Sequence, residues 1–409
     1  MMNLMRRLQI IIIFFITVIL FSQVKMDEVQ FKKGKTSSRI NVTIFDNVIY
    51  IPISINNNSP VDFVLDTGAP EISAIEKNIA AKMSLKLRKG GTLRGAGKNS
   101  VKFWLLENVK LSLPNIDILN PRLGSLSLTH MEPYWGKPKY GLLGGNILKE
   151  LITEIDYVNS ILIFHEPDSF VYQGDGQKIP VEFITNAILI KAKLQVNEGD
   201  KNIEGLFLVD TGVRNTFFNS PFTRRHKLIE KSKKIVENIT GFGIGGVGFG
   251  KLSRLRSIKI GNYLISEPIV ELTTDTEGIA ASQQFDGIIG ADILSRFKVI
   301  FDYTRGEMTL EPNENFHNSF EYDKSGIYII VNDDNKDLYK VAYVIKNSPA
   351  EIAGIVPGDV ILEVNDIPVS HYNYEQMKNY FKQEEKTIAL KILRNTTTMK
   401  LNIKLEKLL

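Results

Sequence analysis

Two aspartates carry the chemistry open to this chain. Asp66 ends the run Phe63-Val64-Leu65-Asp66-Thr67-Gly68, and Asp210 ends Phe207-Leu208-Val209-Asp210-Thr211-Gly212. A single Asp-Thr-Gly arises by chance in about one chain in ten or twenty of this length, whereas two copies with matching apolar flanks do not. Carboxylates held about 3 Å apart cannot both ionise near neutral pH, so such a pair shares one proton. One member can then act as base toward a water while the protonated one donates a hydrogen bond to a carbonyl, and the roles reverse as the leaving nitrogen takes its proton. That is hydrolysis of a peptide bond with neither a metal nor a covalent intermediate.

The elements around the aspartates repeat as well. Tyr140-Gly141-Leu142-Leu143-Gly144-Gly145-Asn146-Ile147-Leu148 is echoed by Asp286-Gly287-Ile288-Ile289-Gly290-Ala291-Asp292-Ile293-Leu294. Asp66 and Asp210 are 144 positions apart, Gly144 and Gly290 are 146 apart, and Asp156-Tyr157 precedes Asp302-Tyr303 by 146. A constant offset over so long a stretch is an internal duplication. Its period is too long for a solenoid and suits two equivalent lobes of ordinary domain size, with the site between them.

On these residues the chain resembles the pepsin and retroviral protease superfamily, over roughly residues 40–315. The aspartic proteases are the type case of the proton sharing described above. The resemblance implies a mainly β, bilobal acid protease of two β-barrels, with Asp66 and Asp210 as the catalytic pair. It further implies that Thr67 and Thr211 interlock across a pseudo-twofold axis, that Gly68 and Gly212 offer N–H groups to the carboxylates, and that Leu142-Leu143-Gly144 and Ile288-Ile289-Gly290 pass the Asp loops. After the loop glycine stand Ala69 and Val213, where pepsins carry a hydroxyl. Without that donor the ionised pair is less stabilised, so the expected pH optimum is milder than that of a gastric enzyme.

Each lobe offers a glycine-rich segment suited to a water-excluding flap: Leu93 to Lys98 with Gly95 and Gly97, and Gly241 to Gly250 with Gly243 and Gly245. Both segments read equally well as ordinary turns. Tyr134 and Trp135 precede Gly144 and are candidates either for a subsite or for simple packing.

The last hundred residues read differently. Val344 to Ile355 and Pro357 to Asp366 resemble a PDZ module, an α+β domain. Ser348-Pro349-Ala350-Glu351 is an N-cap, a helix-starting proline and a capping box, with Gly354 as the stop. Pro357-Gly358-Asp359 is turn chemistry before a strand. A second helix is expected over Tyr374 to Phe381, and the alternation of Met399, Leu401, Ile403 and Leu405 reads as a closing strand. The resemblance implies a peptide added beside that helix, its carboxylate received by a loop matching Gly326, Ile327 and Tyr328. That loop departs from the family's Gly-Leu-Gly-Phe, so an internal or apolar segment, or a purely positional role, stays open.

The 409 residues exceed what one core serves, and 43% apolar with 23% charged residues is ordinary for globular chains. The net charge of +4 is dispersed, so nucleic acid is not expected. Five scattered histidines show no ligand spacing, and neither metal nor cofactor is expected. Arg6-Arg7 before the apolar stretch Ile10 to Phe21 has the layout of a signal peptide. Without cysteine, an exported chain folds without disulfides, which suits a bacterial envelope. The expected product is periplasmic, secreted or membrane-associated through an uncleaved N-terminal segment.

The expected organisation is a signal peptide over 1–23, protease lobes over 24–172 and 173–315, and a PDZ-like domain over 316–409. The expected function is an exported aspartic endopeptidase acting on polypeptides, with the PDZ domain binding substrate or a regulatory peptide. Because one chain holds both halves of the pair, a monomer suffices. The alternative is a non-catalytic peptide-binding scaffold on a retired protease fold. Against it, Asp66, Thr67, Gly68, Asp210, Thr211 and Gly212 are all intact.

Overall fold

The computed structural model describes residues 25–94, 100–138, 140–243, 246–384 and 386–409. The signal-peptide segment 1–23, and Gly95, Gly97 and Gly245 of the flap candidates, lie outside the described residues. The chain is mainly β, with two large curled sheets, a shared six-stranded sheet and a separate C-terminal sheet.

Each half builds its Asp loop in the same way. In the first half, strand Val61–Leu65 runs parallel to the short strand Gly141–Leu143, which also pairs antiparallel with Ser73–Glu76. In the second half, Ile203–Val209 runs parallel to Gly287–Ile289, itself antiparallel to Phe217–Phe218. The ends that lead into the Asp loops, Phe63 to Leu65 and Phe207 to Val209, are buried, so they read as apolar runs and not as alternating ones. Each short strand is followed by a glycine, Gly144 or Gly290, that caps a one-turn helix, Gly145–Leu148 or Ala291–Leu294. No larger residue fits there. A methyl on Gly144 would overlap the Ala69 carbonyl, and one on Gly290 would lie 2.7 Å from the carbonyl carbon of Asn215.

The two halves are joined underneath. Strands Ile152–Asp156 and Phe297–Asp302 pair antiparallel at the centre of the six-stranded sheet, flanked by Ile161–His165 and Ser37–Asn41 on one side and Glu307–Pro312 and Gln177–Pro180 on the other. One continuous apolar core, including Ile155, Phe164, Val299 and Phe301, runs through both halves. The relative position of the two Asp loops is therefore set by a packed, hydrogen-bonded floor.

The C-terminal domain has its own core of Ile329, Val341, Ile361, Met377, Phe381 and Ile403 among others. Ser348 caps the helix Pro349–Ile352 by accepting from Glu351 N. Asn373 and Gln376 form a reciprocal capping box on the second helix, Tyr374–Tyr380, which ends with Phe381 as its C-cap. The link from the second half wraps around Arg296, whose guanidinium lies 3.6 Å from the Phe320 ring centroid and donates to the carbonyls of Asn315, Phe316, Asn318 and Ser319.

Candidate active site

The site begins where the two Asp-Thr-Gly loops meet. The Thr67 hydroxyl donates to the Val209 carbonyl at 2.7 Å and accepts from Thr211 N at 3.1 Å. Reciprocally, the Thr211 hydroxyl donates to the Leu65 carbonyl at 2.6 Å and accepts from Thr67 N at 3.2 Å. Both threonines are fully buried, so these four bonds act without competition from water. Asp66 N and Asp210 N are each tied to their own short strand, at Leu143 O and Ile289 O.

This interlock brings each aspartate against the opposite loop. A methyl on Gly68 would overlap the Asp210 carboxylate, and one on Gly212 would lie 2.8 Å from Asp66 Cγ. Gly212 N donates to Asp210 Oδ1 at 2.8 Å. Ala69 and Val213 follow, each holding the start of the neighbouring helix through its carbonyl, from Gly145 N and Ala291 N at 2.8 Å.

Behind the loops sit Tyr157, buried, and Tyr303, half-buried, with buried hydroxyl oxygens that have no hydrogen-bond partner among the described residues. Burial raises both phenol pKa values, and so does charge on the opposite lobe's aspartate, Asp210 for Tyr157 and Asp66 for Tyr303. Their repeat spacing was visible in the sequence, but nothing in the spacing marked them as neighbours of the aspartates.

The second loop also reaches the C-terminal domain. Arg214 is paired with Asp46 at 3.0 Å and donates to the carbonyls of Tyr134 and Trp135. Lys378, on helix Tyr374–Tyr380, donates to the same Asp46 at 2.6 Å. Burial favours the neutral form of Asp46, but Arg214 and Lys378 outweigh it and hold the carboxyl well below its ordinary pKa.

In lobe two, Thr216 bonds Asp292 and supports Gly290 N, just as Ser73 bonds Asn146 and supports Gly144 N in lobe one. Burial pushes Asp292 up to about 6 and Glu271, which accepts from Asn215, up to about 8.

The two loops open onto a cavity of about 900 Å³. Asp66, Asp210, Gly68 and Gly212 line it, as do Tyr134 and Trp135, while Trp135 also packs on Met131 and Leu126. Each half also has a long antiparallel strand pair, Lys86–Arg94 with Ser100–Glu107 and Val236–Gly243 with Gly246–Arg254. Leu93, Ile239 and Leu252 of these strand pairs also line the cavity. Gly243 ends its strand, paired with Gly246.

The predicted loop of the PDZ-like domain is drawn in on itself. Asp323 Oδ1 accepts from Ser325 N and Oγ at 2.9 Å and from Gly326 N at 2.5 Å, and Ile327 N donates to Ser325 Oγ. Gly326, at φ +82°, could bear no side chain without overlapping Ser348. Tyr328 lines the cavity.

No curated protein matches this chain. The aspartyl protease family model matches residues 51–147, a span that holds Asp66 and Leu142-Leu143-Gly144 and ends before Asp210. The PDZ domain family model matches residues 340–394. Taken with two interlocked Asp-Thr-Gly loops in a two-lobed β fold, these matches place an aspartyl protease domain in this chain and a PDZ domain at its C-terminus.

Proposed function

We propose that this protein is an exported aspartic endopeptidase in which Asp66 and Asp210 share one proton and activate a water against a peptide carbonyl. The observation that carries the reading is the threonine interlock, which sets each aspartate against the glycine of the opposite loop. The ionised member takes the water's proton, and the protonated member donates to the carbonyl oxygen. The apolar cavity walls and the two strand pairs reduce access of bulk water, and so strengthen both interactions.

Export is supported by Arg6-Arg7 and the apolar stretch that follows, and by the absence of cysteine. A monomer suffices because both loops belong to one chain. The PDZ domain recruits or gates the polypeptide to be cut.

The test is hydrolysis of casein by residues 24–409 between about pH 3 and pH 8, comparing wild type with Asp66→Asn and Asp210→Asn. Cleavage that is lost in both variants and blocked by a statine-type inhibitor is the expected result. Absence of cleavage at any pH favours the non-catalytic scaffold, and activity surviving either substitution points to another nucleophile. Ala69 and Val213 lead to an optimum above the strongly acidic range, so a profile peaking at about pH 2 to 3 would count against that part.

A further inference from the structure

Strand Ile327–Val331 is at the edge of its sheet, opposite helix Tyr374–Tyr380, and a PDZ domain takes a peptide between two such elements by strand addition. In this chain the points a terminal peptide would use are already occupied. The N–H groups and hydroxyl that would cradle a carboxylate are bound to Asp323. The Tyr374 hydroxyl crosses the groove and donates to the Ile329 carbonyl at 3.0 Å, removing an edge acceptor. The lobe-one helix Glu132–Trp135 packs against the same strand, and a methyl on Gly136 would overlap the Tyr374 ring. An incoming carboxylate would thus meet another carboxylate and spent donors, a combination that disfavours binding on both counts.

What remains of the groove is not sealed off. Tyr328, Lys378, Phe381 and Lys382 line the same cavity as Asp66 and Asp210. We infer that the PDZ domain is a built-in wall of the substrate cleft, holding an internal stretch of the polypeptide being cut and not a free C-terminus. This rests on the endopeptidase reading and specifies how its substrate is held. Lys378 is in the helix and Lys382 follows just after its C-cap, and Asp46 neutralises only one charge among Lys378, Arg214 and Lys382. Glu321 and Asp323 line the same cavity, so the wall carries both signs, and its cationic part is the Lys378–Lys382 end, where an acidic side chain of the held segment is favoured.

The test uses the full chain carrying Asp210→Asn and labelled casein segments, each made as the free acid and as the C-terminal amide. Equal binding of the two forms is expected. A preference for the free acid beyond about threefold, or no binding of any segment, overturns the inference. Lys382→Glu should weaken acidic segments by about fivefold, and unchanged affinity for them overturns the role given to the two lysines. Asp323→Ala frees the cradle and should create a free-acid preference of about tenfold; a folded variant without one overturns the role given to Asp323. Wild-type hydrolysis is read separately. Equal binding without cleavage supports the wall and removes the peptidase, whereas cleavage with a strong free-acid preference keeps the peptidase and removes the wall.

Discussion

Asp46 and Lys378 lie 332 positions apart and meet at 2.6 Å, joining the tip of a lobe-one hairpin to the second helix of the PDZ domain. Arg214, four residues beyond Asp210, shares the same carboxylate. The PDZ helix is thus two ion pairs away from the second Asp loop. These pairs are partly buried, and pairs shielded from water add little stability over an apolar replacement but are costly to break from one side.

Asp46→Asn removes the anion that Arg214 and Lys378 share and leaves the two cations facing each other. We expect a loss of about 3 kcal/mol in stability, measured by chemical denaturation. Casein hydrolysis should fall more than this stability loss alone explains, because Arg214 also holds the Tyr134 and Trp135 carbonyls at the cavity wall. A change within about 0.5 kcal/mol would show that the cluster is solvated in solution.

The pH dependence of stability has two opposing edges. Asp46 has a lowered folded pKa, so its contribution is present above its unfolded value of 3.8 and is lost as pH falls below it. Glu271, Asp292 and Asp323 have raised folded values, so the native state binds protons more tightly than the unfolded chain. Their contribution is present below their unfolded values and is lost as pH rises, through about 6 for the two aspartates and about 8 for Glu271. Stability should therefore peak at about pH 4 to 5 and decline toward pH 8. Glu271→Gln keeps an acceptor for Asn215 and cannot ionise, so its Tm should match wild type near pH 5 and exceed it at pH 8. Parallel Tm curves would rule out Glu271 as the cause.

Thr67→Val preserves shape and removes the hydroxyl that both donates to Val209 O and accepts from Thr211 N. Two buried backbone groups lose their partner, which should cost about 2 to 4 kcal/mol. The loops then lose register, and kcat/KM should fall by at least about tenfold. Thr67→Ser retains both bonds and should recover most of each loss. If Val and Ser variants behave alike, packing and not the hydroxyl matters.

The repeat was legible in the sequence because duplication preserves spacing: Asp66 and Asp210 end parallel strands, and Gly144 and Gly290 allow the same close passage. The first PDZ helix was legible because its Ser348 cap is local, and the second because Tyr374, Met377 and Phe381 recur at helical spacing, although its Asn373 capping box was not read. The cluster that joins the domains was not. Asp46 and Asn47, both at positive φ, carry only the signature of a tight turn, and nothing local points from there to Lys378. Asp323 likewise reads as a loop residue until its backbone partners are seen. One usable signal was passed over: Glu271 interrupts the apolar run Ile269-Val270-Glu271-Leu272, and an ionisable group buried in a strand rarely lacks a specific partner.

The contact between Gly136 and Tyr374 offers a way to separate docking from folding. Gly136 sits at φ +68° and lies directly against the Tyr374 ring, so Gly136→Ala strains the backbone and pushes on the PDZ helix at once. Neither domain core includes Gly136, so each should stay folded while the interface loosens. Hydrogen exchange is expected to rise in strand Ile327–Val331 and helix Tyr374–Tyr380 with the lobe cores still protected. If the PDZ domain is a wall of the cleft, KM for casein should rise in step with that exchange. Faster exchange with an unchanged KM would mean that the domain leans on the protease without shaping its substrate site.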